Sequence, residues 1–558
     1  MNIPTNWSAP VSWIGRLLGQ VRRWNDALAA RPVVSVVLVF TLAFALAILG
    51  AVGAGFPEPS VHDENSYLLA AETFAAGRLA NPPHPLAEHL QTFHVLQRPT
   101  YASKYPPAQG LALALGIRLA GKPIIGVWLS FALMCAAVYW MARAWVGAAW
   151  SLAAALALAS RLASSYWTYQ YWGGSVAALG GVLVLGGARR VVDTARARDA
   201  VLMAIGVALL ANSRPYEGLL LCVPVAGLVV WRLVGAGHMS ARRRLRSVVL
   251  PVAAVFVVAA ALMLRYNHAV TGSATRFPYL TYLHEYGRGP DFLWQEPRNP
   301  PPPKTVLVRQ YQEWELATAD SLRSPAGFAS RNARRLKATF AFFLPASLLA
   351  PFFMLPIALR GWWTRAAFVA LGILLTGMMF SSWYQEHYAA PAAGLFVVLY
   401  FTCLRWCRRL RLGRFDAGLH FVAMILALWA GTQLAKLGVA AALAVATGAR
   451  PEWSEWAHRR ADIERRLRAD DGKDLVVVRY GPNHDFHDEW VRNAADIDAS
   501  PVVWAHDLGA AKNAQLLDHF RDRKVWLLEV NDPEGGESLG PYGRQVEDWG
   551  TIGRRSSR

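Results

Sequence analysis

Long apolar runs separated by short basic segments make up most of this chain. About eleven of them approach the roughly 17 to 25 mostly apolar residues with which a helix crosses the hydrocarbon of a bilayer. A helix is expected in each, because backbone polar groups in hydrocarbon must be paired within their own segment. The runs lie near residues 33–54, 122–142, 146–164, 173–189, 199–213, 217–234, 247–265, 338–359, 366–383, 389–404 and 417–446. The pattern predicts a polytopic α-helical membrane protein.

Two apolar segments in the first quarter of the chain need a separate interpretation. The run from Val33 to Phe56 follows several arginines and is long enough to span, so we predict a retained first span rather than a cleaved signal peptide. The run from Pro106 to Leu119 is shorter and carries Arg118. It predicts an interfacial helix that precedes the second span.

The basic residues between the runs indicate how the chain is threaded. With the N-terminus in the cytoplasm, every short arginine-rich connection falls on the cytoplasmic side, as the positive-inside rule requires. These connections contain Arg143, Arg189, Arg190, Arg196, Arg198, Arg232, Arg242–Arg246, Arg360, Arg365, Arg405, Arg408, Arg409, Arg411 and Arg414. The same threading places residues 55–121, 165–172, 266–337 and the tail after 447 outside. The functional site is therefore expected on the outer side of the membrane.

The tail has a different pattern from the rest of the chain. Short apolar stretches and one amphipathic stretch between them predict alternating strands and helices, and this βαβ order predicts a small parallel sheet. The expected strands are Leu475–Arg479, Val502–Ala505 and Val525–Val530, and the expected helices are 452–469 and Ala510–Arg521. We therefore divide the chain into a cytoplasmic tail (1–32), a transmembrane domain (33–446) with outer loops 55–121 and 266–337, and a periplasmic α/β domain (447–558).

The composition agrees with a chain that lies mostly within a lipid bilayer. The chain is 54% hydrophobic and 17% charged, and its formal net charge is +19. No basic stretch is interleaved with aromatic residues, as a nucleic-acid-binding surface would require, so no nucleic-acid partner is expected. We attribute the positive charge to the positive-inside rule. None of the four cysteines lies in a long hydrophilic loop. We predict no disulfide.

The first outer loop carries an acidic pair, Asp63 and Glu64, directly after the first span. Like charges this close raise the pKa of one carboxyl, and a raised carboxyl suits a general base that acts near neutral pH. The alternative is a helix start in which acidic residues complement the helix dipole.

Two basic positions on the outer side are candidates for binding phosphate. Lys104 precedes the interfacial helix, where its ammonium could meet a lipid phosphate or could simply extend to the membrane surface. Arg214 lies in a short turn with Glu217. It could bind a phosphate through two parallel hydrogen bonds or pair with Glu217.

A further outer turn contains Glu386, His387 and Tyr388, which could hold a sugar by hydrogen bonds and stacking. An aromatic belt at the interface is the alternative, and it is our preferred interpretation of Tyr166–Trp172. The stretch His484–Glu489 matches no zinc signature and is interpreted as a solvated loop. No phosphate-binding loop is present, so ATP-driven transport has no support.

In their order along the chain, these motifs resemble those of the C-type (GT-C) membrane glycosyltransferases, which include protein mannosyltransferases and the aminoarabinose transferase of lipid A. In that superfamily an acidic pair follows the first span, as Asp63-Glu64 does here, and many members have Lys-Pro-Pro where this chain has Lys104-Tyr105-Pro106-Pro107. Arg214-Pro215-Tyr216-Glu217 is similar to an Arg-Pro-Glu turn of relatives, and His387-Tyr388 to a His/Arg-Tyr pair before their late span. The resemblance covers roughly residues 33 to 410.

The resemblance implies transfer of a sugar from a polyprenyl-phosphate donor to a glycan, lipid or protein acceptor, with inversion, at the outer face of a bacterial inner membrane. Asp63 would accept the acceptor's proton, and Glu64 would orient the acceptor or a divalent cation such as Mg²⁺ or Mn²⁺, the only cofactor implied. Lys104 and Arg214 would hold the phosphate. The remaining residues expected at the donor site are Glu217, Arg276, Glu386, His387 and Tyr388.

Two other functions are compatible with a polytopic chain. A transporter or flippase of a lipid-linked sugar or another amphiphile would place ionisable residues at the membrane midplane, whereas the candidates here lie at outer ends of spans. A noncatalytic assembly or sensor protein would use the C-terminal domain to bind a partner. Removal of residues 447–558 would then abolish partner binding without an enzymatic defect.

Overall fold

The computed structural model describes residues 9–52, 57–235, 240–413, 415–447, 454–531 and 536–543. The helices are α1 Ala9–Ala29, α2 Pro32–Val52, α3 His62–Ala75, α4 Pro107–Ala120, α5 Pro123–Trp145, α6 Ala148–Ala163, α7 Ser175–Thr194, α8 Ala197–Ala211, α9 Pro215–Gly235, α10 Ala241–Arg244, α11 Leu250–Thr271, α12 Pro278–Glu285, α13 Val306–Asp320, α14 Pro325–Phe343, α15 Leu355–Ala358, α16 Trp362–Met379, α17 Ala393–Cys407, α18 Ala417–Thr447, α19 Glu455–Ala469 and α20 Ala510–His519. The strands are β1 Val95–Leu96, β2 Ala102–Ser103, β3 Asp474–Tyr480, β4 Val502–His506, β5 Lys524–Asn531 and β6 Gly536–Pro541.

Within these ranges, eight helices are long and apolar enough to cross a membrane. They are Pro32–Ala51, Pro123–Trp145, Ser175–Thr194, Pro215–Gly235, Ala241–Thr271, Trp362–Met379, Glu386–Cys407 and Ala417–Val439. Two of them contain a non-α turn: a π-helical turn joins α10 to α11, and a 3₁₀ segment, Glu386–Ala392, leads into α17. The predicted polytopic helical architecture is confirmed.

Three of the predicted spans differ from this set. The runs at 146–164 and 199–213 are the single helices α6 and α8, which have 16 and 15 residues. The predicted continuous span at 338–359 is wrong, because α14 ends at Phe343 and two short 3₁₀ turns follow. Proline lacks the amide hydrogen that a helix needs and clashes with the preceding turn, so the prolines at 345, 351 and 356 break this run.

The transmembrane helices pack closely where small residues meet. A Cβ on Gly181 of α7 would lie 2.0 Å from the carbonyl oxygen of Pro391, so only glycine permits this contact. The contact fixes the segment Glu386–Ala392 against α7. A Cβ on Gly110 of α4 would lie 2.8 Å from the Cβ of Ala70, so the predicted helix at 106–119 packs directly on α3.

The C-terminal domain contains a four-stranded sheet in the order β4-β3-β5-β6. Strands β4, β3 and β5 are parallel, and α20 connects β4 to β5, so the predicted βαβ unit is confirmed. The sequence prediction missed β6, which pairs antiparallel with β5. All four cysteines of the chain are free, as expected.

The C-terminal domain docks on the segment between α2 and α4. The backbone amide of His506, at the end of β4, donates to the carbonyl of His89 at 2.7 Å. Nearer the membrane domain, Arg492 donates to the side chain of Asn65 on α3 at 3.1 Å, and the amide of Ala495 donates to Glu72 at 2.9 Å. Apolar residues of both parts also share one core. The docking places the segment that follows β3 beside α3.

Candidate active site

Helix α3 presents the acidic pair, and its two members face different partners. Glu64 is 1% exposed, and its oxygens accept backbone hydrogen bonds from Ser60 at 3.0 Å, Val61 at 3.3 Å and Tyr171 at 2.7 Å. The first two cap the helix, and the third ties it to the loop after α6. Burial raises the pKa of Glu64 to about 7 despite these donors. Glu64 therefore fixes the position of α3.

Asp63 is the accessible member of the pair, with 22% of its side chain exposed. Its Oδ1 accepts a hydrogen bond from the hydroxyl of Tyr105. Its Oδ2 lies 3.5 Å from Nδ1 of His62 and 3.6 Å from Nε2 of His94. Burial alone would raise the pKa of Asp63, but His94, His62 and Lys104 outweigh burial and hold the pKa well below its usual range. The expectation that pairing with Glu64 raises the pKa of the base is thus wrong for Asp63.

Three histidines, which the sequence analysis did not select, surround this carboxylate. Nδ1 of His62 lies 2.8 Å from Nε2 of His94, and Nε2 of His62 lies 3.3 Å from Nδ1 of His487. Burial, followed by the charge of Lys104, lowers the pKa of His94 well below its usual value. Only His62 had a visible signal, because it precedes Asp63 directly. The other two come from the β1 hairpin and from the C-terminal domain.

Lys104 follows β2, and its ammonium lies among the rings of three tyrosines. Its Nζ lies 5.1, 5.1 and 4.6 Å from the ring centroids of Tyr105, Tyr279 and Tyr282. Over the chain ranges that the structure describes, no carboxylate oxygen lies within 4.0 Å of this ammonium. The side chain is buried, and burial lowers its pKa to about 8. Lys104 is therefore a cation held by ring faces and without an ion-pair partner in that part of the chain.

Arg214 and the start of the Glu386–Ala392 segment meet beside α3. The guanidinium of Arg214 lies 4.2 Å from the ring centroid of Tyr388, and the electrostatic partners of Arg214 include Tyr67 and Glu217. Glu217 is 6% exposed but lies outside the 4.0 Å ion-pair distance of Arg214. Tyr67 stacks on Tyr105 at 4.4 Å, which connects this group to Asp63.

His387 is fully buried beside this group. The hydroxyl of Tyr166 accepts from the backbone amide of His387 at 3.1 Å and lies 2.9 Å from its Nδ1. The ring of Trp172 lies 4.8 Å away. The other ring nitrogen, Nε2, is buried and has no hydrogen-bond partner among the residues described. Part of the predicted aromatic belt thus packs around His387 instead of facing a bilayer, and Trp167 of the same stretch is fully buried.

The structure does not bring every predicted site residue into this cluster. It gathers Asp63, Lys104, Arg214, Glu217, His387 and Tyr388. Arg276 is exposed, and its described hydrogen bonds come from its backbone: the amide donates to Ser273 at 3.4 Å, and the carbonyl accepts from Thr271 at 3.2 Å. Glu386 is half-buried and faces Tyr166 and Tyr384 at the edge of the cluster.

The loop after β3 forms one wall of the site. His487 stacks on His62 with an interplanar angle of 15°, and its ring lies 5.0 Å from Trp314 of α13. His484 and Glu489 of the same loop are 4% and 2% exposed, whereas Asp485 is exposed, so the predicted solvated loop is wrong for its two ends. The C-terminal domain buries these ends by packing against distant parts of the chain, and such contacts cannot be read from the local sequence.

Comparisons with known proteins identify the fold. No family model matches the sequence, and no curated protein sequence matches it. The structure superposes on ArnT from Cupriavidus metallidurans, solved bound to undecaprenyl phosphate, with a TM-score of 0.51, 16% identity and coverage of 88% of this chain and 92% of that chain. ArnT in the apo state gives the same values. The Archaeoglobus fulgidus oligosaccharyltransferase in complex with Zn and sulfate gives a TM-score of 0.47, 13% identity and coverage of 88% and 67%. The expected resemblance is confirmed for the fold: this chain has the fold of the C-type membrane glycosyltransferases.

Proposed function

We propose that this protein transfers a sugar from a polyprenyl-phosphate donor to a glycan, lipid or protein acceptor at the outer face of a bacterial inner membrane. One observation carries the proposal: an accessible, ionised Asp63 lies in one cluster with two cations, Lys104 and Arg214, that have no close carboxylate partner in the described chain. A carboxylate for the acceptor and cations for a phosphate are the two requirements of this reaction.

Asp63 acts on the acceptor. The acceptor hydroxyl or amine attacks the anomeric carbon of the donor, the bond from that carbon to the phosphate oxygen breaks, and the acceptor proton passes to Asp63. The departing polyprenyl phosphate is a stabilised anion, so it needs little help from a general acid. A single displacement without a covalent nucleophile inverts the anomeric carbon.

Lys104 and Arg214 hold the phosphate. The ring faces around Lys104 keep its ammonium in place without neutralising it, so the charge remains for an anionic ligand. The planar guanidinium of Arg214 suits two phosphate oxygens at once. The neighbouring fold of ArnT was solved with undecaprenyl phosphate, which supports a lipid phosphate as the donor's carrier.

The other predicted residues have supporting roles in this proposal. His387 offers a buried Nε2 that has no partner in the described chain and suits a hydrogen bond to the sugar or the phosphate. Tyr388 and Glu217 orient Arg214. Glu386 and Arg276 lie farther out and would meet only an extended part of the substrate.

A cation at Asp63 and Glu64 fits the structure poorly. The oxygens of Glu64 are occupied by three backbone amides, so they are not free for an ion. The side chains that converge on Asp63 are instead His62 and His94.

Binding of undecaprenyl phosphate to the purified full-length chain tests the phosphate site. Native mass spectrometry from lipid nanodiscs should show a bound lipid phosphate for the wild type and a loss of roughly tenfold to hundredfold in affinity for Lys104→Met. Lys304→Met is the matched control, because Lys304 is an exposed lysine paired with Glu88. Equal binding by all three proteins would contradict the proposal. Transport of the lipid across sealed vesicles without sugar transfer would favour the flippase instead.

A further inference from the structure

Two arginines meet at the end of the helix bundle that lies opposite the candidate active site. Helix α9 begins directly after Arg214 of that site and carries Arg232 near its other end, roughly 25 Å farther along the helix. Arg189 lies near the end of the neighbouring helix α7, and α16 begins at Trp362. The sequence predicts that this end of the bundle faces the cytoplasm. The pair of arginines is therefore separate from the candidate active site.

Tryptophan rings hold both guanidinium groups. The guanidinium of Arg189 lies 4.1 Å from the ring centroid of Trp363, and that of Arg232 lies 4.9 Å from the ring centroid of Trp362. The two rings are neighbours, with centroids 4.3 Å apart, and Trp363 also packs against Trp145 of α5 at 5.3 Å. A ring face attracts a cation without neutralising it. The adjacent rings therefore keep two like charges at one place.

The charge of this pair is only partly balanced. Arg189 lies within the electrostatic range of Arg232, and the two cations repel each other. Nε of Arg189 pairs with Oδ2 of Asp193 at 3.1 Å, and the side chain of Asp193 is 43% exposed. In the chain ranges that the structure describes, no carboxylate oxygen lies within 4.0 Å of the Arg232 guanidinium. An anion that binds between the two arginines would offset their repulsion.

Both guanidinium groups also have donors without an acceptor. Nη1 of Arg189 and Nε of Arg232 are buried, and neither has a hydrogen-bond partner among the residues described. Arg190 shows the satisfied alternative, because its Nη1 donates to the carbonyl of Gly186 at 3.0 Å and its Nη2 to the carbonyl of Trp140 at 2.6 Å. A buried donor without an acceptor is costly. The two unpaired donors therefore point to an acceptor that comes from outside the chain.

The surface beside Arg232 is apolar, which favours a lipid over a free ion as the source of that acceptor. The ring centroid of Trp231 lies 5.8 Å from the Arg232 guanidinium, and this side chain is 62% exposed. Val230 and Val234 of the same helix are 60% and 63% exposed, and α9 is long and apolar enough to cross a membrane. Such a surface contacts acyl chains, and an exposed indole is typical of the headgroup level. A phospholipid presents its phosphate at that level.

We propose that Arg189 and Arg232 bind the phosphate of an anionic phospholipid, with Trp362 and Trp363 holding the two guanidinium groups in position. A planar guanidinium can donate two parallel hydrogen bonds to phosphate oxygens. Basic sites between helices at the cytoplasmic side of a membrane suit anionic headgroups. A lipid bound here contacts the ends of α7, α9 and α16. The site does not rest on the proposed function.

Lipid retention by the full-length protein tests the site. The protein would be reconstituted in nanodiscs of phosphatidylglycerol and phosphatidylcholine with identical acyl chains, and the lipids that stay bound would be identified by native mass spectrometry. We expect the wild type to retain phosphatidylglycerol in preference to phosphatidylcholine. Arg189→Gln/Arg232→Gln should bind it roughly tenfold to thirtyfold more weakly.

The matched control is Arg242→Gln/Arg243→Gln, which removes two exposed arginines on the same predicted side. This variant should retain phosphatidylglycerol as the wild type does. Equal retention of the two lipids by the wild type, wild-type retention by Arg189→Gln/Arg232→Gln, or an equal loss in the control would overturn the proposal.

The variant Arg189→Lys/Arg232→Lys separates a specific site from general attraction to positive charge. It keeps both charges but removes the planar donors, so retention of phosphatidylglycerol should still fall several-fold. Wild-type retention by this variant would overturn the proposal. Lys104→Met should keep the lipid, and its loss there would instead assign the lipid to the candidate active site.

A measurement on the wild type alone does not depend on how well a variant folds. Inorganic phosphate should displace phosphatidylglycerol no more than sodium chloride of equal ionic strength does, because the acyl chains hold the lipid against the apolar surface of α9. Greater displacement by phosphate would assign the site to a free anion and would overturn the proposal.

Discussion

The hydroxyl of Tyr105 donates a hydrogen bond to Oδ1 of Asp63. Tyr105 is itself fixed, because its ring stacks on Tyr67 at 4.4 Å with an interplanar angle of 16°. Burial, followed by the charge of Asp63, raises the pKa of the Tyr105 phenol well above its usual value, so the phenol remains a donor. This contact fixes the orientation of the Asp63 carboxylate.

Replacement of Tyr105 by phenylalanine should slow transfer by roughly tenfold, because a hydrogen bond to a charged group is lost and the carboxylate becomes free to rotate. We expect the change in kcat rather than in KM for the donor. Tyr139→Phe is the control, since its hydroxyl accepts from Arg143 within α5. A kcat for Tyr105→Phe equal to that of the control would remove Tyr105 as a positioning residue.

Glu64 should tolerate an amide better than a truncation. Glu64→Gln keeps one oxygen that can accept from Ser60 and Val61 but turns its NH2 group toward the amide of Tyr171, so we expect activity within about tenfold of the wild type and a smaller loss of stability than in the alanine variant. Glu64→Ala leaves the donors of Ser60, Val61 and Tyr171 without an acceptor and should cost about 1 to 2 kcal/mol of stability together with most of the activity. Initial rates and thermal unfolding of both variants measure this. A large loss in the glutamine variant would instead favour direct action of Glu64 on the substrate.

Donor binding should weaken at alkaline pH. Burial lowers the pKa of Lys104 to about 8, so its ammonium is lost as the pH rises through that value. We expect kcat/KM for the donor to fall about tenfold per pH unit above about pH 8. Lys104→Arg should lack this fall even if its activity is lower, because a guanidinium stays charged. The same alkaline fall in Lys104→Arg would assign it to another group.

The C-terminal domain should be more stable at low pH because of Glu489. This carboxyl is 2% exposed, and burial raises its pKa to about 8. A raised carboxyl pKa favours the folded state below the unfolded pKa, and this contribution is lost as the pH rises toward about 8.

Glu489→Gln should therefore stabilise the domain above pH 8, by on the order of 3 kcal/mol, and have little effect near pH 4. The amide oxygen still accepts from Tyr480 and from the amide of Val491. Hydrogen exchange of β3 and β5 at both pH values measures the difference. A variant that is less stable than the wild type at both would show that Glu489 is charged in the folded protein.

The sequence was sufficient for features that depend on local pattern. The length of the apolar runs predicted most of the spans, and short apolar stretches predicted β3, β4 and β5. A segment that is buried in lipid or inside a sheet must be largely apolar, so both kinds of burial are visible in the local sequence. The arginine distribution predicts outer positions for Asp63, Lys104 and Arg214, and this orientation remains a prediction. The break after Phe343 was also visible in three prolines, but the high hydropathy of the run outweighed them in the prediction.

Features that depend on long-range docking were not predictable in this way. His94 reaches Asp63 because a hairpin of two-residue strands places it there, and His487 arrives from a domain more than 420 residues away in sequence. Burial raises the pKa of Asp63, and His94, His62 and Lys104 together lower it well below its usual value. The local sequence shows the adjacent Glu64 and His62, but it does not show that the hairpin brings His94 to this carboxyl.

Sugar transfer by purified wild type and Asp63→Asn tests the central claim most directly. Both proteins, reconstituted in nanodiscs, would be given a panel of undecaprenyl-phosphate sugars and an extract of envelope lipids and glycans, with products identified by mass spectrometry. The account predicts a sugar-modified acceptor with the wild type and a rate lower by roughly a hundredfold to ten-thousandfold with Asp63→Asn, while undecaprenyl phosphate still binds. Transfer by a folded Asp63→Asn at the wild-type rate would contradict it.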